Sequence, residues 1–311
     1  MSLLVVGTLA FDSVETPFGH RDSTLGGSAS FLATAASYFH PVSMVGVVGE
    51  DFPEQHLGFF RQRGIDTQGV LRAKGRTFRW RGRYDYDLNV RHTLETQLNV
   101  LDGFDPTLPP AYRDAKHVVL GNFDPAIQLA VLEQVRAPKF VACDTMNFWI
   151  ESQPAALRRT LARVDLLSVN DSEARQLSGE YNLVHAARAI QAMGPKNVII
   201  KRGEYGAILF TGDGIFAAPA FPLEVIVDPT GAGDAFAGGM MGFLARQNGR
   251  QDSAALRQAV VMGSVLASFV VEDYSLDRLR TLTDDEIKLR FAEFKNLTHF
   301  EAEGVSLWNG D

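Results

Sequence analysis

Short apolar runs alternate with amphipathic stretches along most of the chain. Leu3–Val6 and Val42–Val48 are apolar runs of strand length, and stretches with helical spacing follow them at 28–39 and 53–63. Strands without polar alternation are typical of parallel sheets that helices cover on both faces. The pattern therefore predicts an α/β fold: a doubly wound, mostly parallel sheet with helices on both faces.

The same alternation returns in the second half of the chain. Residues 207–218 read as a hairpin, and 225–227 read as a strand that leads into a glycine-rich turn. No repeat or linker-like segment interrupts the pattern, so we expect one domain over residues 1–311. The other predicted strands and helices of this half are 118–120, 126–135, 140–142, 154–162, 166–169, 183–193, 198–200, 235–247 and 254–271.

A different pattern covers residues 69–101. The helical period is lost, and polar and apolar residues alternate around Trp80 and Tyr84, which is typical of antiparallel strands with one exposed face. We expect this segment and residues 12–25, approximately, to form a small β-sheet lid over the carboxyl ends of the large sheet, where ligands of such sheets bind. Open β-sheets with an apolar face often pair with another chain, which makes a homodimer through the lid a candidate assembly.

Composition narrows the classes of function. The 311 residues are 46% hydrophobic, enough for a large core, and the net charge of -7 disfavours nucleic acid as a partner. The single cysteine, Cys143, excludes a disulfide within the chain and lies in an apolar run typical of a buried strand. No basic, apolar leader begins the sequence and no uncharged apolar stretch has the length of a membrane span, so a cytoplasmic protein with no membrane partner is expected.

Residues 228–239, Asp-Pro-Thr-Gly-Ala-Gly-Asp-Ala-Phe-Ala-Gly-Gly, carry the strongest chemical signal. The small residues Gly231, Ala232 and Gly233 let a ligand approach the backbone, and their amides lie at a predicted helix N-terminus, which favours an anion. An acid among these donors would repel a phosphate, and a role as general base explains why Asp234 stands there. A capping Asp on a glycine-rich turn is the alternative explanation.

The full string resembles the signature of the ribokinase-like (PfkB) carbohydrate kinases, and further matches follow in order over essentially the whole chain. The resemblance implies transfer of a phosphoryl group from ATP to a hydroxyl of a sugar or sugar derivative, and a primary hydroxyl is expected. It implies that Asp234 is the catalytic base and that the amides of residues 231–233 form the anion hole. The other residues to which it gives roles are Asp12, Gly26, Gly27 and Asn147 for the acceptor (the last in the stretch Asp144-x-x-Asn147), Asn170, Lys201, Gly203 and Gly206 for the nucleotide, Glu173 for water-mediated Mg²⁺, and Asp228 and Thr230 for a monovalent cation such as K⁺.

Several alternatives stay open at this point. Asn170 and Glu173 also have the spacing of a helix capping box. The family's first signature has an Asn where this chain has Ser30 and Phe31, so a nucleoside, its base stacked on the ring, is an alternative acceptor. A non-catalytic nucleotide- or sugar-binding protein would share the same fold. A dinucleotide-dependent oxidoreductase is disfavoured, since residues 7–12 lack the G-x-G-x-x-G fingerprint.

Overall fold

Apolar strands from both halves of the chain meet in one nine-stranded sheet in the computed structural model, which describes residues 2–247 and 250–299. The strands of the fold, in chain order, are β1 (Leu3–Val6), β2 (Ala10–Thr16), β3 (Gly19–Gly26), β4 (Val42–Val48), β5 (Ile65–Arg72), β6 (Phe78–Tyr84), β7 (Arg91–Gln97), β8 (His117–Leu120), β9 (Phe140–Asp144), β10 (Leu166–Asn170), β11 (Asn197–Lys201), β12 (Ala207–Thr211) and β13 (Gly214–Ala218). The order across the large sheet is β13-β12-β11-β10-β9-β8-β1-β4-β5. All neighbours from β11 to β5 are parallel, and the β12–β13 hairpin adds two antiparallel strands at one edge.

Helices cover both faces of the large sheet, as predicted. They are α1 (Ser28–Ala36), α2 (Glu54–Gln62), α3 (Pro125–Gln134), α4 (Asn147–Ser152), α5 (Pro154–Leu161), α6 (Asp171–Ser178), α7 (Leu183–Gln191), α8 (Ala232–Arg246), α9 (Ser253–Val270), α10 (Asp277–Thr281) and α11 (Asp284–Thr298). Side chains of β1 alternate between the two layers: Leu3 and Val5 join the core of α1, α8 and α9, and Leu4 and Val6 join the core of α3, α5 and α7. The continuous apolar runs of the sequence therefore reflect strands buried on both faces. Cys143 is likewise buried, on β9.

Helix α9 is long and apolar enough to cross a membrane by length and composition alone. In the fold, 67% of it is buried, and its main packing partner is α8. Its apolar composition is accounted for by this position in the core.

A separate four-stranded sheet, in the order β3-β2-β6-β7, forms the predicted lid. The predicted boundaries need one correction: residues 69–72 belong to β5 at the edge of the large sheet, and the lid strands of this segment begin at Phe78. Strand β5 is only half-buried because it is an edge strand, so its mixed pattern resembles that of the lid. The antiparallel pairing of β6 with β7 is confirmed, whereas β2 and β6 are parallel. A homodimer through the lid stays a prediction.

Two further expectations differ from the structure. Residues 225–227 form no strand, because no strand lies beside them: Val225 is 65% exposed, and the Val227 amide donates to the carbonyl of Val271, just after α9. The last helix predicted from the sequence is 254–271, but two more helices, α10 and α11, follow it in the structure. Helix α11 buries only Ile287 and Phe294, so its sequence lacks a clear apolar stripe.

Candidate active site

The glycine-rich turn before α8 brings backbone amides to the carboxyl ends of the parallel strands. Gly231 is the N-cap of α8 and has φ of +80°, a conformation that favours glycine. A Cβ at this position would also lie 2.4 Å from the ring of Phe31, which is buried beneath the turn. The amide of Ala232 donates to the carbonyl of Pro229 (3.2 Å), so this one of the three predicted anion-hole amides already has a partner.

Asp234 lies in the first turn of α8, where the sequence predicts the catalytic base. Burial, reinforced by the negative charges of Asp144 and Asp12, raises the pKa of Asp234 to about 7, although Lys201 and Arg91 act in the opposite direction. A carboxyl group with a pKa near neutrality is suited to take a proton from a hydroxyl at physiological pH. The arrangement thus fits general-base chemistry better than a simple helix cap.

Lys201, at the end of β11, forms an ion pair with Asp144 at the end of β9 (Nζ to Oδ2, 2.9 Å). Burial by itself lowers the pKa of Lys201, but Asp144 and Glu173 outweigh it and hold this pKa above its usual value. The Lys201 ammonium group also lies 3.1 Å from the position that a Cβ on Gly233 would occupy. Lys201 therefore places a positive charge directly beside the predicted anion hole.

Asp12 and the glycine pair Gly26 and Gly27 lie together at the base of the lid, and their role in acceptor binding stays a prediction. A Cβ at Gly26 would lie 1.9 Å from Oδ2 of Asp12, so only glycine leaves room for this carboxylate. The amide of Gly27, the N-cap of α1, donates to the same oxygen (3.4 Å). Burial raises the pKa of Asp12 to about 7, with the Gly27 hydrogen bond opposing this effect and Asp228 adding to it. An acid so placed can accept a hydrogen bond from a substrate hydroxyl.

Asn170 and Glu173 form the capping box that the sequence left open as an alternative. The Asn170 side chain accepts from the Glu173 amide, and Glu173 accepts from the Asn170 amide (both 2.8 Å). Burial and the nearby charge of Asp144 raise the pKa of Glu173 to about 7, while Lys201 lowers it. A functional role for both residues stays a prediction.

The residues present fit an indirect Mg²⁺ site. Within residues 2–247 and 250–299, no group of three His, Cys, Asp or Glu side chains is arranged to bind a metal directly. Mg²⁺ usually keeps several waters and binds one or two carboxylates together with substrate phosphates. The buried carboxylate of Glu173 can serve as one such ligand.

Asp228 and Thr230 precede the anion-hole turn and are engaged by hydrogen bonds. Asp228 is buried, and its Oδ1 accepts from the amide of Thr230 (2.8 Å). The hydroxyl of Thr230 donates to the hydroxyl of Tyr84 on lid strand β6 (3.2 Å). These contacts link the lid to the turn, and K⁺ binding by the two residues stays a prediction.

The lid also contacts the turn predicted to line the nucleotide site. Gly203 and Gly206 have φ of +55° and +82°, and a Cβ at Gly206 would lie 2.1 Å from the carbonyl oxygen of Ala218. From the loop between β6 and β7, Asn89 donates to Glu204 in this turn (3.1 Å). The lid thus spans the site from Asp12 and its glycine pair to the nucleotide turn.

Two residues singled out from the sequence are engaged in contacts within the protein. Asn147 begins α4, and its side chain donates to Gln176 on α6, so no contact joins it to Asp12 or Asp234. Phe31 is 1% exposed and packs under Gly231, which leaves it no free face for stacking a nucleobase.

Sequence reasoning did not assign roles to two side chains on the lid face that carries Asp12. Trp80 is the register partner of Asp12 in the adjacent parallel strand, and its ring lies over Gly82, where a Cβ would come within 2.1 Å of it. The guanidinium of Arg91 lies 5.6 Å from the centre of the Trp80 ring, and its charge lowers the pKa of Asp12 and Asp234. The alternation of β6 shows which side chains share a face, but not that this face looks into the cleft.

Comparisons with known proteins identify the family of this chain. The family model described as pfkB family carbohydrate kinase matches residues 5–280. The cytidine kinase of Thermococcus kodakarensis is 34% identical over 248 residues, which cover 78% of this chain and 87% of that relative.

Solved structures share the ribokinase-like fold. Aminoimidazole riboside kinase from Salmonella enterica, complexed with aminoimidazole riboside and an ATP analog, has a TM-score of 0.74 and 22% identity, covering 93% of this chain and 99% of that one. Ribokinase from Giardia lamblia has a TM-score of 0.80 and 17% identity, covering 94% and 99%. The expected fold class and kinase activity are confirmed, and the oxidoreductase alternative is wrong. This chain belongs to the pfkB family of carbohydrate kinases.

Proposed function

We propose that this kinase transfers the γ-phosphoryl group of ATP to a hydroxyl on the sugar of a nucleoside. The observation that carries the proposal is Asp234, a carboxyl group with a pKa near 7 in the first turn of α8, within electrostatic reach of both Asp12 and Lys201. Asp12 lies on lid strand β2, and Lys201 lies beside the anion-hole turn. The proton acceptor thus stands where an acceptor hydroxyl and a phosphate would meet.

In the proposed reaction, Asp12 accepts a hydrogen bond from the acceptor and orients it. Asp234 takes the proton of the acceptor hydroxyl while the oxygen of this hydroxyl forms a bond to the γ-phosphorus. The bond between the γ-phosphorus and the bridging oxygen breaks, which releases ADP. Amides of the turn 231–233 and the ammonium group of Lys201 stabilise the charge on the transferred group. Mg²⁺ held through water by Glu173 would neutralise phosphate charge.

The lid supports this mechanism by limiting access of water. Hydrogen bonds of Tyr84 with Thr230 and of Asn89 with Glu204 attach it at both ends of the site. Exclusion of water strengthens electrostatic interactions in the site and limits hydrolysis of ATP. Lid opening would then be required for product release.

Two observations favour a nucleoside over a free sugar. The relative with 34% identity is a cytidine kinase, and cytidine carries an aromatic base on its ribose. On the lid, the half-buried ring of Trp80 lies beside Asp12, so a sugar bound by Asp12 would place its base near an indole surface. Stacking of a base on an aromatic side chain contributes about 1–3 kcal/mol.

The test is ADP release with Mg²⁺ATP and a panel of cytidine, other nucleosides, free sugars, sugar acids and sugar phosphates, with and without K⁺. We expect turnover with at least one nucleoside and its loss in Asp234→Asn. The matched control is Asp285→Asn on α11, where the side chain is 91% exposed. Turnover of a free sugar but no nucleoside would reject the nucleoside assignment, and ATP binding without turnover of any acceptor would reject the proposed function.

A further inference from the structure

The ion pair of Asp144 and Lys201 has a position that nucleotide binding alone does not explain. Its members stand at the ends of β9 and β11, on either side of β10, and their side chains are 9% and 18% exposed. Removing two charges from water is costly, and such pairs contribute little to stability unless their geometry is favourable. A buried pair at the ligand-binding edge of the sheet therefore suggests a functional role.

Lys201 provides the main balance for the negative charge of Asp144. Oδ1 of Asp144 accepts from the amide of Thr145 (2.7 Å), and Oδ2 accepts from Lys201. The hydroxyls of Thr145 and Ser168 are buried without a hydrogen-bond partner, although Ser168 is the register partner of Asp144. Neither neighbouring hydroxyl thus donates to the carboxylate, which accepts from Lys201 instead.

Lys201 is held against the residue that precedes Asp234. Its Nζ lies 3.1 Å from the Cβ position of Gly233, so a side chain at residue 233 would crowd the ammonium group. The negative charge of Asp144 raises the pKa of Asp234, and the positive charge of Lys201 lowers it. The two members of the pair therefore act on the base in opposite directions.

The other charged groups that act on Asp234 or on the ion pair come from three other elements. Asp12 on β2 raises its pKa and Arg91 on β7 lowers it, while Glu173 on α6 interacts with both members of the ion pair. Arg91 is exposed on the lid, so its contribution depends on lid position. Lys201 is the cation that the large sheet itself supplies.

We propose that the Asp144–Lys201 ion pair sets the charge state of Asp234: Lys201 stabilises the carboxylate form, and Asp144 destabilises it. Both are positioning residues for the base. The proposal rests on the proposed function, because it takes Asp234 as the proton acceptor. It adds that the pH range of the reaction is decided by a pair of strand-end residues outside the glycine-rich signature.

A substrate-free measurement tests the proposal directly. The free energy of unfolding of wild type and Asp234→Asn is compared from pH 5 to 11. Their difference grows once Asp234 is ionised in the unfolded chain, and it levels off above the pKa of Asp234 in the folded protein. The pH at which this difference levels off is called the levelling pH. When the comparison is repeated in the Lys201→Met background, the levelling pH should rise by about 1–3 pH units, the usual effect of one nearby opposite charge. With Asp144→Asn it should fall. An unchanged levelling pH, or shifts in the same direction, would overturn the proposal.

The second measurement is the pH profile of kcat/KM for the acceptor that the panel identifies. The acid limb should move to higher pH in Lys201→Met and to lower pH in Asp144→Asn, and Lys201→Arg, which keeps the charge, should restore it. Loss of ATP affinity with an unmoved limb would assign Lys201 to nucleotide binding alone and overturn the proposal. If no acceptor is turned over, the proposed function fails, and the unfolding experiment still decides the role of the ion pair.

Folding of the single variants needs a control, because each leaves a buried charge without its partner, which destabilises the folded protein. The double variant Asp144→Asn with Lys201→Met removes both charges and retains similar volumes. Its levelling pH should lie between those of the single variants. A value at or beyond either single variant would contradict the proposed opposition of the two charges.

Discussion

Replacing Asp234 by Asn should lower activity and raise stability at the same time. The variant keeps the size and position of the side chain but removes the proton acceptor, which should reduce kcat by about 10²–10⁴-fold. Stability should increase because an Asn needs no charge at a site where charge is costly. Opposite effects on activity and stability distinguish a catalytic carboxylate from a carboxylate that stabilises the fold.

The gain in stability follows from the raised pKa of Asp234. The pKa of Asp234 is about 7 in the folded protein, whereas the ordinary value of 3.8 applies to the unfolded chain. As the pH rises, Asp234 therefore ionises in the unfolded chain first. Stability from this group is fully present below pH 4 and is lost as the pH rises through 7. A difference of about three pH units corresponds to about 4 kcal/mol as an upper bound. Because Asp234 retains partial exposure to the cleft, we expect about 1–3 kcal/mol at pH 8.

Urea unfolding of wild type and Asp234→Asn at pH 5 and pH 8, beside steady-state kinetics, measures both effects. The advantage of the variant should be larger at pH 8 than at pH 5. Asp285→Asn on the exposed face of α11 controls for removal of a charge elsewhere. Near-normal turnover of Asp234→Asn would refute its role as base, and a variant less stable than wild type at pH 8 would refute the argument from burial.

Three other substitutions test the acceptor side of the site. Gly26→Ala should displace Asp12 and raise the KM for the acceptor about 10–100-fold, which corresponds to the loss of a hydrogen bond to a charged group, and the KM for ATP should not change. The control is Gly58→Ala, because a Cβ at Gly58 has open space. Equal effects of the two substitutions would contradict the assignment of Asp12 to the acceptor. Trp80→Leu should raise the KM for a nucleoside about 10-fold and Trp80→Phe should restore it, whereas an unchanged KM would remove the stacking role. Tyr84→Phe should lower kcat/KM about fivefold through loss of one hydrogen bond between lid and turn; a wild-type value would show that this contact does not support the closed lid.

The two periodicities of the chain were enough to predict the large sheet. Apolar runs such as Val42–Val48 are recognisable because helices cover both faces of their strands, so no polar alternation interrupts them. Strands at the edge of the sheet and helices near the C-terminus were harder to predict. Strand β5 resembled part of the lid because an edge strand is half-exposed, and α11 was missed because only two of its side chains are buried.

Local sequence also predicted the residues whose role depends on their immediate neighbours. Gly231 and Asp234 belong to one turn and the helix that it begins, so their relation is encoded in a few consecutive residues. Gly26 and Asp12 match a family pattern, but the reason for the glycine, a carboxylate 1.9 Å from its Cβ position, appears only in three dimensions. Phe31 shows the reverse case, since its place near the first signature suggested a binding surface and packing under the turn gave it a core role.

The sequence by itself thus determined the fold class, the glycine-rich turn and the acid that begins α8, because these follow from short-range periodicity and contiguous residues. Only the tertiary structure decided which distant charges surround that acid. Asp144 and Lys201 are 57 residues apart and meet because β9 and β11 end at the same edge of the sheet, and Trp80 joins Asp12 because β2 and β6 pair in parallel. Electrostatic effects depend on distance and burial in space, which no local pattern of residues specifies.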